Sequence, residues 1–164
     1  MNDQELNKLK EKAKQEEASN KAFLNKLKRL KNKRKLDDVI HQFHHEAFET
    51  IDCLECANCC KSISPIIREK DIQRIARHLK TKPSEFTESY LSVDDEGDYV
   101  FKKTPCPFLM PDNYCSIYRI RPRSCREYPH TDRKNMQQIL KLTLKNTFIC
   151  PAVYEIVQKL RSFF

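Results

Sequence analysis

CLECANCC, residues 53–60, sets four cysteines within eight positions in the order C-x2-C-x2-C-C, and the reading of this run decides the fold. Two-residue spacing lets one tight turn aim both thiolates at a single metal ion. Structural zinc takes four such ligands in a tetrahedron, at about 2.3 Å. Iron–sulfur clusters also take cysteine thiolates, and one bacterial ferredoxin run opens with the same three-cysteine spacing. That run places its fourth cysteine four residues on, whereas here Cys60 follows Cys59 at once. Neighbouring residues tend to point their side chains apart. Cys59 and Cys60 therefore need not ligate one ion: they are open to serving two centres, or one of them a reactive-thiol role.

The chain has four more cysteines, Cys106, Cys115, Cys125 and Cys150, and two of them stand directly before Pro107 and Pro151. An even number would suit disulfides in a secreted chain. The opening residues MNDQELNKLKEKAKQEE contain no apolar h-region and no small-residue cleavage site. No segment approaches the ~20 apolar residues of a membrane span. A reducing compartment, the cytoplasm, is expected, and there clustered cysteines are metal ligands or catalytic thiols. A thioredoxin-like C-x-x-C would want a βαβ context, which is missing. Cys53, Cys56 and Cys59 are the first ligands expected, with Cys60, Cys106, Cys115, Cys125 and Cys150 supplying the rest.

Charge is unevenly placed. Residues 1–36 hold 12 Lys/Arg and 5 Asp/Glu, whereas residues 37–164 hold 19 and 18, so most of the formal +8 lies in an N-terminal arm. Residues 3–34 read as one long polar helix, expected to be solvated or partly frayed. A heptad seam through Leu6, Leu9, Ala13, Phe23, Leu27 and Leu30 is interrupted by Glu16, Asn20 and Arg34, too often for a stable coiled coil. The arm, residues 1–35, is a possible weak binder of nucleic acid or an acidic protein, but it is too poor in large apolar residues to enter a membrane.

Residues 36–164 read as the cysteine-cluster domain. A helix through Leu36, Ile40, Phe43 and Ala47, with Asp37 and Asp38 suited to its first turn, runs to Cys53. Ile72, Ile75, Ala76 and Leu79 form a second helical stripe, and KPSEFTESYL a short helix entered through Pro83. LSVDDEGDYVFKK, residues 91–103, reads as a β-hairpin turning at Gly97. Residues 104–130 are proline-rich loop, and closing helices are expected over 133–145 and 151–162. The fold class is helix-rich α+β: a small metal-binding domain with one hairpin, preceded by a long basic helix.

Some thiols look electrostatically prepared. Cys150 stands where a helix N-cap would, and the helix start favours a thiolate. Arg119, Arg121, Arg123 and Arg126 surround Cys125, either balancing thiolate charge or pairing with acids such as Glu127. His41 and His45 share a helix face but lack the order of a zinc-protease motif, so a surface role is favoured over a ligand role. In REYPHTDR, Asp132 is read as a cap for the next helix and His130 as locally bonded. If the protein is an enzyme, this stretch is where acid–base chemistry would lie.

The segments CLECANCC, CPFL, NYCSIYRIRPRSCREYP and ICPAVYE together resemble the CxxCxxCC cysteine-cluster family (YkgJ-type), described as zinc- or iron-chelating. All eight of that family's cysteines have counterparts here, at 53, 56, 59, 60, 106, 115, 125 and 150. The matching stretch runs from about residue 50 to about 155 and excludes the basic arm. A related cysteine module occurs in flagellin lysine methylases with an iron–sulfur cluster, which implies 4Fe–4S ahead of Zn2+ as the cofactor. It does not imply a methyltransferase, because no Gly-rich nucleotide loop is present. Three functions are weighed: a cytosolic metal-binding protein, a cluster-dependent enzyme acting on a protein or small molecule, and a nucleic-acid- or ribosome-associated protein using the arm.

Overall fold

Where apolar residues recur at helical spacing, helices form and bury that face. The computed structural model describes residues 3–164 and is helix-rich, with one two-stranded antiparallel hairpin. The chain divides into two compact units: Met1–Cys56 with Pro129–Phe164, and Ala57–Tyr128. Residues 1 and 2 of the basic arm lie outside the described residues.

In the first unit, helix α3 (Lys33–Thr50) packs on α10 (Pro151–Phe163). Leu36, Ile40 and Ala47 on α3 are fully buried, as are Ala152, Val153, Ile156, Val157 and Leu160 on α10. Asn32 caps α3 by accepting from the Lys35 amide at 3.0 Å, so the helix starts earlier than the aspartates suggest. Asp37 does something else. Its carboxylate accepts the amides of Asn135 and Met136 at 2.7 and 2.9 Å, and Asn135 is left-handed with φ 60°. The expected helix over 133–145 therefore gives way to a 3-10 turn at Met136–Gln138, and α9 spans only Leu140–Asn146.

The basic arm differs from expectation in two respects. It is two helices, α1 (Asp3–Gln15) and α2 (Glu17–Leu27), broken at Glu16, and both pack into the first unit. Leu9, Ala13 and Leu27 of the seam are buried, with Leu24 beside them, so this face is a docking face. Two of its polar interruptions, Glu16 and Asn20, are contacts. Glu16 accepts from Gln158 Nε2 at 2.6 Å and pairs with Arg161 at 3.8 Å, while the buried Asn20 accepts from Arg161 at 3.2 Å. Gln137 closes the end of α2 by donating to the carbonyls of Leu27, Lys28 and Leu30. The lysines of α1 and α2 stay exposed.

The second unit is built on α6 (Glu69–Leu79), α7 (Pro83–Tyr90) and the hairpin of β1 (Leu91–Val93) and β2 (Tyr99–Phe101). The strands pair with Ser92 opposite Val100, and Gly97 supplies the positive φ of 87° in the turn. Ile67, Ile72, Ile75, Phe86, Leu91, Phe101, Phe108 and Ile117 form one core cluster. Phe86, Tyr90 and Phe108 stack with ring centroids 5.1 to 6.4 Å apart. Cys106 and Cys115 lie against this core. Between the hairpin and Tyr128 the chain is irregular apart from a 3-10 turn at Tyr118–Ile120 and the short α8 (Arg123–Glu127).

Burial sets the expected response to substitution. Ile156→Ala, at a fully buried position of α10, should cost about 2–5 kcal/mol in urea denaturation. Val93→Thr, on the exposed face of the hairpin, should change stability by less than about 0.5 kcal/mol.

Candidate metal centre

The CLECANCC run folds as two separate helical turns, α4 (Cys53–Cys56) and α5 (Asn58–Ser62). Asp52 accepts the Leu54 amide at 2.7 Å and so starts the first. Between them Ala57 is left-handed, with φ 47°, a conformation that costs a non-glycine residue about 1–2 kcal/mol. The division between the two units falls at this residue. Cys53 and Cys56 end the first segment of one unit, and Cys59 and Cys60 open the other.

All eight cysteines stand as thiols. The second unit holds five of them: Cys59, Cys60, Cys106, Cys115 and Cys125. Cys60 is central among these. Its carbonyl accepts the Cys106 amide at 2.8 Å, and negative charge on its thiol would disfavour a second charge on Cys106, Cys115 and Cys125. Cys106 and Cys115 are joined by a bridge from Leu109 to Cys115 and by the Ser116 amide donating to the Phe108 carbonyl at 2.9 Å. Backbone amides also reach the sulfurs: Phe108 and Leu109 donate to Cys106, and Ile117 to Cys115. The first unit holds Cys53, Cys56 and Cys150. Cys150 is the N-cap of α10 ahead of Pro151, as its sequence position suggests, and it has Cys53 and Cys56 for neighbours.

Burial decides the proton equilibria of most of these thiols. It pushes Cys106 up to about 11 and Cys125 up to about 12, with neighbouring thiols adding to the effect. Burial also raises Cys115. Cys150 rises to about 12 even though the amides of Val153 and Ala152 favour its thiolate, so the helix start does not prevail there. Cys60 goes the other way. The Cys59 thiol beside it, Sγ to Sγ 4.0 Å, brings it down to about 7 against burial, and Arg121 assists.

The four arginines around Cys125 divide their work. Arg121 is the one whose charge favours thiolates, at Cys60, Cys115 and Cys125, and its guanidinium lies 3.8 Å from the centre of the Tyr118 ring. Arg123 pairs with Glu127.

The loop bearing Cys125 is fastened by a pair that sequence reasoning missed. Asp71 is buried and binds Arg74 at 2.5 Å. Its carboxylate also accepts the amides of Arg68 at 3.1 Å and Arg123 at 3.2 Å. Arg74 in turn donates to the carbonyls of Ile120 and Arg121 at 3.2 and 3.0 Å. Ser124 donates to the Ile66 carbonyl at 2.9 Å. The signal was present: Asp71 lies in phase with Ile72 and Ile75, on the apolar face of its helix.

His45 is exposed, as a surface role expects, whereas His41 and His44 are half-buried and hydrogen-bonded. His41 donates to the Arg133 carbonyl at 2.9 Å, and His44 Nδ1 shares a hydrogen bond of 2.7 Å with the buried Thr131 hydroxyl. The helix histidines thus meet the stretch that carries His130 and Asp132. Asp132 does not cap the following turn, whose amides Asp37 takes, and its charge acts instead on His44.

The donor chemistry fits a thiophilic metal: clustered thiols, amides aimed at two sulfurs, and a guanidinium beside them. As the side chains stand, no group of three or more His, Cys, Asp or Glu among the described residues is close enough to hold an ion.

Two outcomes are expected. Asp71→Ala should destabilise by about 3 kcal/mol, the low end for breaking a buried pair because Arg74 keeps a third of its side chain in water. Lys82→Ala, which breaks the exposed 4.0 Å pair with Glu85 and keeps the backbone amide, should change stability by less than about 1 kcal/mol; chemical denaturation compares the two. Burial also lowers His44 below the usual 6.5, so the folded state prefers the neutral ring. The unfolded chain then takes up this proton first, and stability should fall as pH drops from about 6.5 toward the folded value. Urea midpoints measured across that range should flatten in His44→Gln.

No curated protein and no solved structure matches the chain. One family profile does, over residues 52–148, and its description is "Putative zinc- or iron-chelating domain". Seven of the eight cysteines lie inside the matched range, with Cys150 just beyond it. A match over more than half of the chain makes this protein a member of the CxxCxxCC family.

Proposed function

We propose that this protein holds a metal centre through its cysteine thiolates, an iron–sulfur cluster in the leading reading and zinc in the other. The observation that carries the reading is the gathering of Cys106, Cys115 and Cys125 about Cys60, with backbone amides on the Cys106 and Cys115 sulfurs. Burial holds the protons on Cys106, Cys115 and Cys125. A metal cation reverses that preference, because the thiolate is the ligand. The amides of Phe108, Leu109 and Ile117 would spread the sulfur charge, and Arg121 would offset part of what remains. Once bound, a cluster would supply one-electron redox chemistry, whereas zinc would supply folding free energy.

The cysteine pattern's likeness to the module of flagellin lysine methylases favours the cluster. The chain's own residues then act as a binding module in a reducing compartment: they ligate, shield and tune a centre whose role is sensory, structural or redox.

Purification without oxygen, followed by the visible spectrum and by iron, zinc and acid-labile sulfide per chain, tests this. A brown protein with iron and sulfide is expected. A colourless protein with stoichiometric zinc would replace the cluster by a zinc site. A folded, metal-free protein would overturn the proposal.

A further inference from the structure

We infer that the cysteines build two separate metal centres: one in the second unit from Cys60, Cys106, Cys115 and Cys125, the other in the first unit from Cys53, Cys56 and Cys150. This rests on the metal-binding reading above and assigns its ligands. The run at 53–60 reads as one motif in sequence, but the left-handed Ala57 splits it into two turns that belong to different units. Each half then meets its own distant cysteines. Cys60 is tied to the loop after the hairpin by the Cys106 amide, the Leu109–Cys115 bridge brings Cys115 to the same turn, and charge on Cys60 is felt at Cys106, Cys115 and Cys125. Cys53 and Cys56 fall in the same unit as Cys150, more than ninety positions away at the start of α10, and charge on either is felt at the Cys150 thiol.

The two sets differ in chemistry. The set of four is partly buried, with Cys106 and Cys115 against an apolar core and the loop that bears Cys125 held by Asp71 and Arg74. Four thiolates are a full complement for zinc or for a cubane cluster, so this centre needs nothing further. The set of three ranges from the buried Cys56 and Cys150 to the exposed Cys53. Three thiolates leave one coordination position for another donor, the arrangement of metal sites that exchange ligands. Cys59, the fifth thiol of the second unit, adjoins Cys60, and the same experiment asks which centre requires it.

The test is metal content per chain, by mass spectrometry of the elements, in anaerobically purified wild type, Cys125→Ser, Cys150→Ser and the double variant. Alkylation footprinting with iodoacetamide on the same samples follows each thiol. Two centres predict complementary losses. Cys125→Ser should lose one portion of the metal and unmask Cys60, Cys106 and Cys115 at least tenfold, with Cys56 and Cys150 still protected. Cys150→Ser should lose the remaining portion and unmask Cys53 and Cys56 while Cys106 and Cys115 stay protected. The double variant should retain less than a tenth.

If either single variant strips all the metal, or if both unmask the same thiols, there is one shared centre and the inference fails while the metal-binding reading stands. If a variant is poorly folded, wild-type protein partly stripped by a chelator gives the same decision: two centres should unmask in two steps, one centre in one. Wild type without metal would overturn the underlying reading itself. In Cys59→Ser, metal content and footprint like those of Cys125→Ser would place Cys59 with the four and support the division. Loss of protection at Cys56 and Cys150 would tie the sets together through Cys59 and overturn it.

Discussion

The Asp71 carboxylate is the fixed point on which the second unit depends. An irregular loop has few backbone hydrogen bonds of its own, so its shape is set by whatever fastens it. Buried on α6, Asp71 takes the Arg68 and Arg123 amides and holds Arg74, which reaches the carbonyls of residues 120 and 121. That network aligns the chain entering α8 and therefore places Cys125. A second tie, from the Cys106 amide to the Cys60 carbonyl, brings the other end of the loop to α5. Phe86 and Phe108, stacked with Tyr90, belong to the apolar core against which Cys106, Cys115 and Ile120 of the loop pack. With hydrophobic residues at only 39% of the chain, polar fastening of this kind does work that a larger core would otherwise do.

The thiols stand in tension with their surroundings. Burial favours the protonated form at Cys106, Cys125 and Cys150, and the nearby amides and Arg121 favour the charged one. Without a cation burial wins, which is the expected balance for a group in low dielectric beside others of its kind. The same features that make thiolates costly here, crowding and exclusion of water, strengthen a metal–thiolate bond once the charge is neutralised. Membership of a zinc- or iron-chelating family accords with that chemistry.

Much of the fold was legible because it is local. The stripe at Ile72, Ile75, Ala76 and Leu79, the proline before Phe86, the turn at Gly97 and the Cys150–Pro151 helix start each declare an element within a few residues, and α6, α7, the hairpin and α10 follow. The arm was harder. Its interrupted seam looked like a failed coiled coil, because Glu16 and Asn20 find Arg161 and Gln158 more than 140 positions away. Asp37 looked like a capping residue of its own helix and instead holds Asn135 and Met136. In each case a polar side chain had a distant partner that outweighed its local preference.

The sequence by itself determined the chemistry of this protein: eight cysteines at metal-ligand spacings, the family they define, and the helices and hairpin between them. Only the tertiary structure decided which thiols keep company. Spacing governs side chains within a turn of one another, and it presented residues 53–60 as a single motif. The partners of Cys60 and of Cys56 lie 46 to 94 positions further on, and packing against the Phe108 core and against α10 brings them in. That packing, with one left-handed alanine between the halves, sorts the cysteines into two units.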